Sequence, residues 1–164
     1  MQQIVLDILK EEYEKEKQTS QSLDNKANIF LSALVVIVTV WLEILPIKDI
    51  IKIFHTECNI NSFIIVIILF ILFDIFVINI YFLFKCLKLQ NYNAVNTESI
   101  IYQANSNNDY KEYINAVIDH YQEIITNNAQ INEDKAKYLK KAIKIFCINS
   151  ILSIILLLLI FVFI

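Results

Sequence analysis

The sequence predicts an all-α integral membrane protein, with three transmembrane helices and a cytoplasmic helical portion. Three observations lead there. Hydrophobic residues fill 57% of the 164 positions and charged residues only 19%, a more apolar balance than soluble domains show. The apolar residues gather in three blocks, each about as long as the roughly 20 residues that cross a bilayer as a helix. The chain has no glycine and one proline, Pro46, so the tight hairpin turns that want glycine are scarce.

The elements follow in order. Residues 1–27 form an N-terminal segment, helical from about residue 3. Ile4, Val5, Ile8 and Leu9 give it an apolar beginning, and Glu11, Glu12, Glu14, Lys15, Glu16 and Lys17 a solvated stretch with close opposite charges. The helix either runs straight into the membrane or caps and restarts at Asp24. The first span covers 28–46, NIFLSALVVIVTVWLEILP, with Trp41 as an interfacial anchor and Pro46 as its end. In the connection 47–61, Ile47, Ile50, Ile51 and Phe54 have the spacing of a short amphipathic turn on the membrane surface. The second span covers 62–84, and Lys85 and Lys88 behind it are placed to reach a headgroup layer. The third covers 142–164.

Between the second and third spans lies a polar stretch, 89–141. Asn105 to Asn108 signal a loop, and Asp109 is placed to cap a helix. The apolar face of that helix is Tyr110, Tyr113, Ile114, Val117, Tyr121, Ile124 and Ile125. Asn127-Asn128 suggests a break. Asn132, Glu133 and Asp134 resemble the start of a last helix, their acids favourable at its N-terminus. That helix is expected to enter the third span unbroken, with its first part standing out of the bilayer.

Lysine placement sets the expected orientation. Lys85, Lys88, Lys137, Lys140, Lys141 and Lys144 flank the side holding 89–141, whereas the 47–61 connection carries only Lys48 and Lys52. The positive-inside rule puts 89–141 and the N-terminus in the cytoplasm and the C-terminus outside, in the inner membrane of a bacterial cell.

Several chemistries are disfavoured. Without glycine, neither a dinucleotide fingerprint nor a P-loop can form, because both need close backbone approach. The net charge is −3 and all 14 basic residues are lysines, so no basic patch points to nucleic acid and no bidentate guanidinium is present. Cys58, Cys86 and Cys147 lack zinc or redox spacing, and His55 and His120 lack ligand spacing. Paired acids such as Glu11 and Glu12 read as solvated. No catalytic constellation stands out; neither enzymatic activity nor a metal or other cofactor is expected. The first apolar block begins only at Ile29, so no cleavable signal peptide is expected.

The polar residues inside the spans are candidate sites. Asp74 sits near the middle of the second span, where a charge costs a few kcal/mol unless it is protonated, paired or wetted. It either lines an oligomeric pore or helix seam, or hydrogen-bonds Ser32, Thr39 or Asn149 of a neighbouring span. Asn79, five residues on and not quite on the same face, and Asn149 join it as pore or inter-helix polar residues. Glu43 reads as an interfacial acid. In the polar stretch, Tyr110, Tyr113 and Tyr121 are either core or, with Lys135 and Lys137, a surface that stacks on a base and meets its phosphate. The lipid bilayer and further copies of the chain are the expected partners; a cyclic nucleotide or a cytoplasmic protein is the candidate signal.

At the first membrane boundary the chain reads Leu23-Asp24-Asn25-Lys26-Ala27-Asn28-Ile29-Phe30-Leu31. This Asp-x-Lys-Ala string, in which Asp24, Lys26 and Ala27 form a boundary motif, enters a span after a charged helix and resembles the membrane effectors of Pycsar antiphage systems. Asn127 to Ala142, NNAQINEDKAKYLKKA, looks like the pre-membrane helix of that family, and the order helix, span, span, cytoplasmic helices, span matches over nearly the whole chain. The resemblance implies an effector that damages the host membrane once triggered by a cyclic mononucleotide or another infection signal. It places Asp24 and Lys26 at the membrane surface, pairing across protomers, pairing near Glu133 and Lys140, or, for Lys26, touching lipid phosphate. Two other classes remain: a channel or holin-like pore without a nucleotide signal, and an anchoring subunit for a cytoplasmic partner.

Overall fold

A computed structural model describes residues 2–44, 60–88, 94–95, 102 and 110–163. Three helices make up nearly all of it: α1 (Gln2–Ile44), α2 (Ile60–Lys88) and α3 (Tyr110–Phe163). Each is long and apolar enough to cross a membrane, the architecture of an all-α, multi-pass membrane protein. Pro46, the 47–59 connection with His55 and Cys58, the loop at Asn105 to Asn108 and the cap at Asp109 lie outside the described residues.

Helix length decides what else these elements do. At about 1.5 Å per residue, the 43 residues of α1 and the 54 of α3 extend well past the roughly 30 Å hydrocarbon layer. α1 and α3 therefore each carry one long polar segment and one apolar segment. The alternatives at Asp24 are resolved in favour of a straight run. The break expected at Asn127-Asn128 does not occur, and Asn132, Glu133 and Asp134 sit in mid-helix rather than at a start. The reason is tertiary. Asn128 and Asn132 are buried, and packing of a helix face outweighs the few tenths of a kcal/mol that asparagine costs in a helix.

The chain divides into two compact units. A polar unit holds residues 1–25 and 86–137, and an apolar unit holds 26–85 and 138–164. In the polar unit, α1 and α3 run parallel: Gln2 Nε2 donates to Asn115 Oδ1 at 3.0 Å, Tyr13 and Tyr121 meet edge to face with centroids 6.1 Å apart, and Asn132 reaches Glu16. The residues turned inward on α1 recur at alternating steps of three and four, through Leu6, Leu9, Tyr13, Glu16 and Ser20. This is the spacing of a coiled-coil seam. The expected apolar beginning is mostly outside it: Leu9 is buried, whereas Ile4, Val5 and Ile8 are exposed, because they fall off the seam positions.

In the apolar unit, α2 and α3 run antiparallel. Ile65, Leu72, Leu156 and Ile160 form the core, with Trp41, Ile68, Leu69 and Leu152 packed around it. Phe30 of α1 meets Phe146 of α3 edge to face at 5.3 Å. Hydroxyls inside this unit turn back onto their own helices, Thr39 to Val35 O, Ser150 to Phe146 O and Ser153 to Asn149 O, the usual way to satisfy a hydroxyl away from water. At one end Lys141 Nζ lies 5.6 Å over Phe82 and 5.9 Å over Tyr138, and Lys85 Nζ 5.8 Å over Tyr81. Aromatic rings under lysines are what a headgroup layer selects.

Candidate functional site

The polar unit closes on an ion pair between an enclosed lysine and a half-buried aspartate. Lys135 is 1% exposed, and its ammonium donates to Asp24 Oδ1 and Oδ2, both at 2.9 Å, and to Ser20 Oγ at 3.0 Å. An ammonium has three protons and here it has three acceptors, so the charge is fully satisfied. One helical turn earlier, Asn132 Nδ2 donates to the carbonyl and the carboxylate of Glu16 at 2.8 and 2.7 Å. Cys86 is buried in the same unit. Glu16, Ser20, Asn132 and Lys135 occupy the seam of α1 and α3. On α3, Ile114, Val117 and Ile124 give way to Asn128, Asn132 and Lys135, and apolar burial resumes at Leu139 and Ala142.

Polar residues at seam positions fix register. An aliphatic seam tolerates sliding by a heptad, but Lys135 finds three acceptors only where Ser20 and Asp24 face it. The steps from Ile124 to Asn128 and from Asn128 to Asn132 are both four residues. This local departure from the alternation of three and four lets the helix turn both amides inward.

The boundary motif splits by side chain. Asp24 points into the ion pair, Ala27 is fully buried, and Lys26 is exposed. Asp24 pairs within its own chain, and its partner Lys135 lies between the Glu133 and Lys140 that the sequence suggests. The five candidate ligand contacts do not gather into one surface. Lys135 is enclosed. Tyr121 is half-buried against Tyr13, and burial, then Tyr13 and Glu14, push its phenol above the usual range. Tyr113 is half-buried and Tyr110 is 68% exposed. Lys137 is exposed and bonded to Glu133 and Asp134 of its own helix, which raise its pKa.

The intramembrane candidates also separate. Asn79 is fully buried. With its amide oriented to satisfy both neighbours, Nδ2 donates to Ala142 O at 3.1 Å and Oδ1 accepts from Phe146 N at 3.2 Å, so it brackets one turn of α3. Asn149 is fully buried, yet neither its Oδ1 nor its Nδ2 has a partner among the described residues. Asp74 is exposed on the outer face of α2, and among the described residues it has no hydrogen bond to Ser32, Thr39 or Asn149. A groove of about 260 Å³ on another face of α2, lined by Val38, Trp41, Leu42, Leu69, Phe73 and Phe76, is apolar throughout and suits an acyl chain rather than a polar ligand.

Ser20 and Glu16 are the contributors that sequence reasoning missed. A signal is present as spacing: both continue the three-and-four steps of the seam, and a polar residue at such a position faces inward. Comparison with known proteins adds no assignment, since no protein-family model, curated protein or solved structure matches the chain.

Proposed function

We propose that this chain is a membrane effector of a bacterial antiphage system of the abortive-infection type, resembling the Pycsar effectors, that acts as a homo-oligomer and impairs membrane integrity when an infection signal arrives. One observation carries the reading. The two stretches on which the resemblance rests, the Asp-x-Lys-Ala boundary and the pre-membrane helix, supply the two halves of one ion pair, the half-buried Asp24 and the enclosed Lys135. A register-fixed α1–α3 pair is a sound support for a signal, because the same two helices carry the apolar segments. A cyclic mononucleotide, or a cytoplasmic protein that senses it, is the trigger we favour. With Lys135 enclosed, such a ligand meets exposed groups such as Lys137 or Tyr110 rather than the ion pair.

The test is membrane potential, read with a voltage-sensitive dye in phage-infected cells carrying the chain with and without a nucleotide cyclase. Depolarisation before phage release, only with the cyclase, is the expected result. Depolarisation on expression alone would favour a holin-like pore. No depolarisation under either condition would favour an anchoring subunit.

Orientation belongs to the same proposal, with the N-terminus and the polar unit in the cytoplasm and the spans in the inner membrane. Gln122 is exposed on α3. In a background lacking the native cysteines, Gln122→Cys is expected to resist an impermeant maleimide in intact cells and to react after permeabilisation. Efficient labelling from outside would invert the topology.

A further inference from the structure

The outer face of α2 carries a carboxyl group that the protomer leaves unsatisfied. At about 100° per residue, Asp74 lies nearly opposite the buried line of Ile65, Leu72 and Asn79. It therefore points away from α1 and α3, and it has no partner among the described residues. Its neighbours on that face are large and exposed: Ile67 43%, Phe70 68%, Ile78 47% and Tyr81 54%. In a bilayer this surface faces acyl chains, which offer a carboxyl group neither donor nor acceptor.

We infer that the Asp74 face of α2 is the seam through which two copies of this chain associate, with the Asp74 side chains of the two copies hydrogen-bonded to each other within the membrane. A second copy is the complementary occupant. The occupant must bring a polar group to the depth of Asp74, in a region where lipid has none. A twofold axis along the membrane normal brings the same residue to the same depth on both sides. A carboxylic acid holds one donor and one acceptor, so two of them satisfy each other, whereas a lone one satisfies nothing. The flanking residues Ile67, Phe70, Ile78 and Tyr81 fall at steps of three, eight and three, which keeps them on one stripe with Asp74 and supplies the apolar contact on either side. Asn79 and Asn149 are not part of this seam, because both are buried inside the protomer.

This inference deepens the homo-oligomer of the proposed effector, and its test uses no trigger and no reading of membrane potential. Single cysteines at Phe70 and Ile78, and at Val36 of α1 and Ile151 of α3 as outward-facing controls (61% and 60% exposed), are placed in the full-length chain lacking its native cysteines. Disulfide formation is then induced in native membranes. Crosslinked dimer is expected at Phe70→Cys and Ile78→Cys, at least fivefold above the two controls. It should persist with Asp74→Asn, which keeps a donor and an acceptor, and fall to the control level with Asp74→Leu. Equal crosslinking at all four positions, or the same dimer yield with Asp74→Leu at wild-type protein level, overturns the inference. A dimer in cells that never depolarise would leave this seam standing and remove the effector reading; depolarisation without the dimer would do the reverse.

Discussion

Asp24→Ala is expected to destabilise the protein by about 3–5 kcal/mol, the cost of leaving a buried charge without its partner. Lys135→Met is expected to cost less than half of that. The asymmetry follows from exposure. The Lys135 side chain is 1% exposed and the Asp24 side chain 27%, so an abandoned Asp24 turns to water while an abandoned Lys135 has nowhere to go. Methionine also keeps the apolar stem that the lysine packs along the seam. The double variant Asp24→Leu/Lys135→Met should lie within about 1 kcal/mol of the wild type, since replacing both members of a buried pair by apolar groups is often neutral. Thermal melting in a mild detergent, read as a double-mutant cycle, measures all three. A coupling energy near zero would mean that the pair contributes no more than two solvated charges.

The same cycle separates stability from register. If the pair serves to hold α1 and α3 in one alignment, the double variant should melt like the wild type and yet, on the proposed effector reading, respond poorly to an infection signal, because a purely apolar seam permits sliding. Ser20→Ala removes only one of three acceptors and is expected to cost about 1 kcal/mol. It is the milder probe of the same site.

Much of this architecture is legible in the sequence, and the remainder fails for identifiable reasons. The spans are plain because three blocks of Ile, Leu, Val and Phe have no other home. The continuity of α3 is hidden by Asn127, Asn128 and Asn132, which read as loop formers when considered alone. In place, Asn128 and Asn132 are seam residues, Asn132 gripping Glu16, so tertiary contact overrides local preference. The charge-rich middle of α1 reads as solvated for a related reason. Composition there is polar throughout, and only the step of three and four separates the inward Glu16 and Ser20 from the outward Glu14 and Lys15. The tyrosines show the opposite case. Their helical spacing indicates core, and Tyr121 lies there against Tyr13, while Tyr110, at the first turn of α3, is exposed. Asp74 is legible as costly but not as outward-facing, because a span hydrophobic on every side gives no moment from which to read its buried face.

The second large effect is expected at Asn149, and with opposite signs for stability and activity. Asn149→Leu should stabilise the protein by about 2 kcal/mol, raising the melting temperature by roughly 4–8 °C. Both amide atoms are buried without a partner among the described residues, so the native side chain is desolvated with nothing in return, and leucine keeps the same branch at Cγ without the polar atoms. Asn79→Leu should do the reverse and cost about 1 kcal/mol, because its amide brackets Ala142 O and Phe146 N. A stability cost held at one buried position fits a residue that acts in a second arrangement of the helices, in which the amide finds a partner or water. On the proposed effector reading, Asn149→Leu is therefore expected to hold this packing and to reduce depolarisation, at a protein level equal to or above the wild type. Melting and dye measurements on one membrane preparation decide it. If the leucine variant melts lower than the wild type, Asn149 already has a partner and stores no stability cost. If it melts higher yet depolarises cells as the wild type does, the amide has no part in the response.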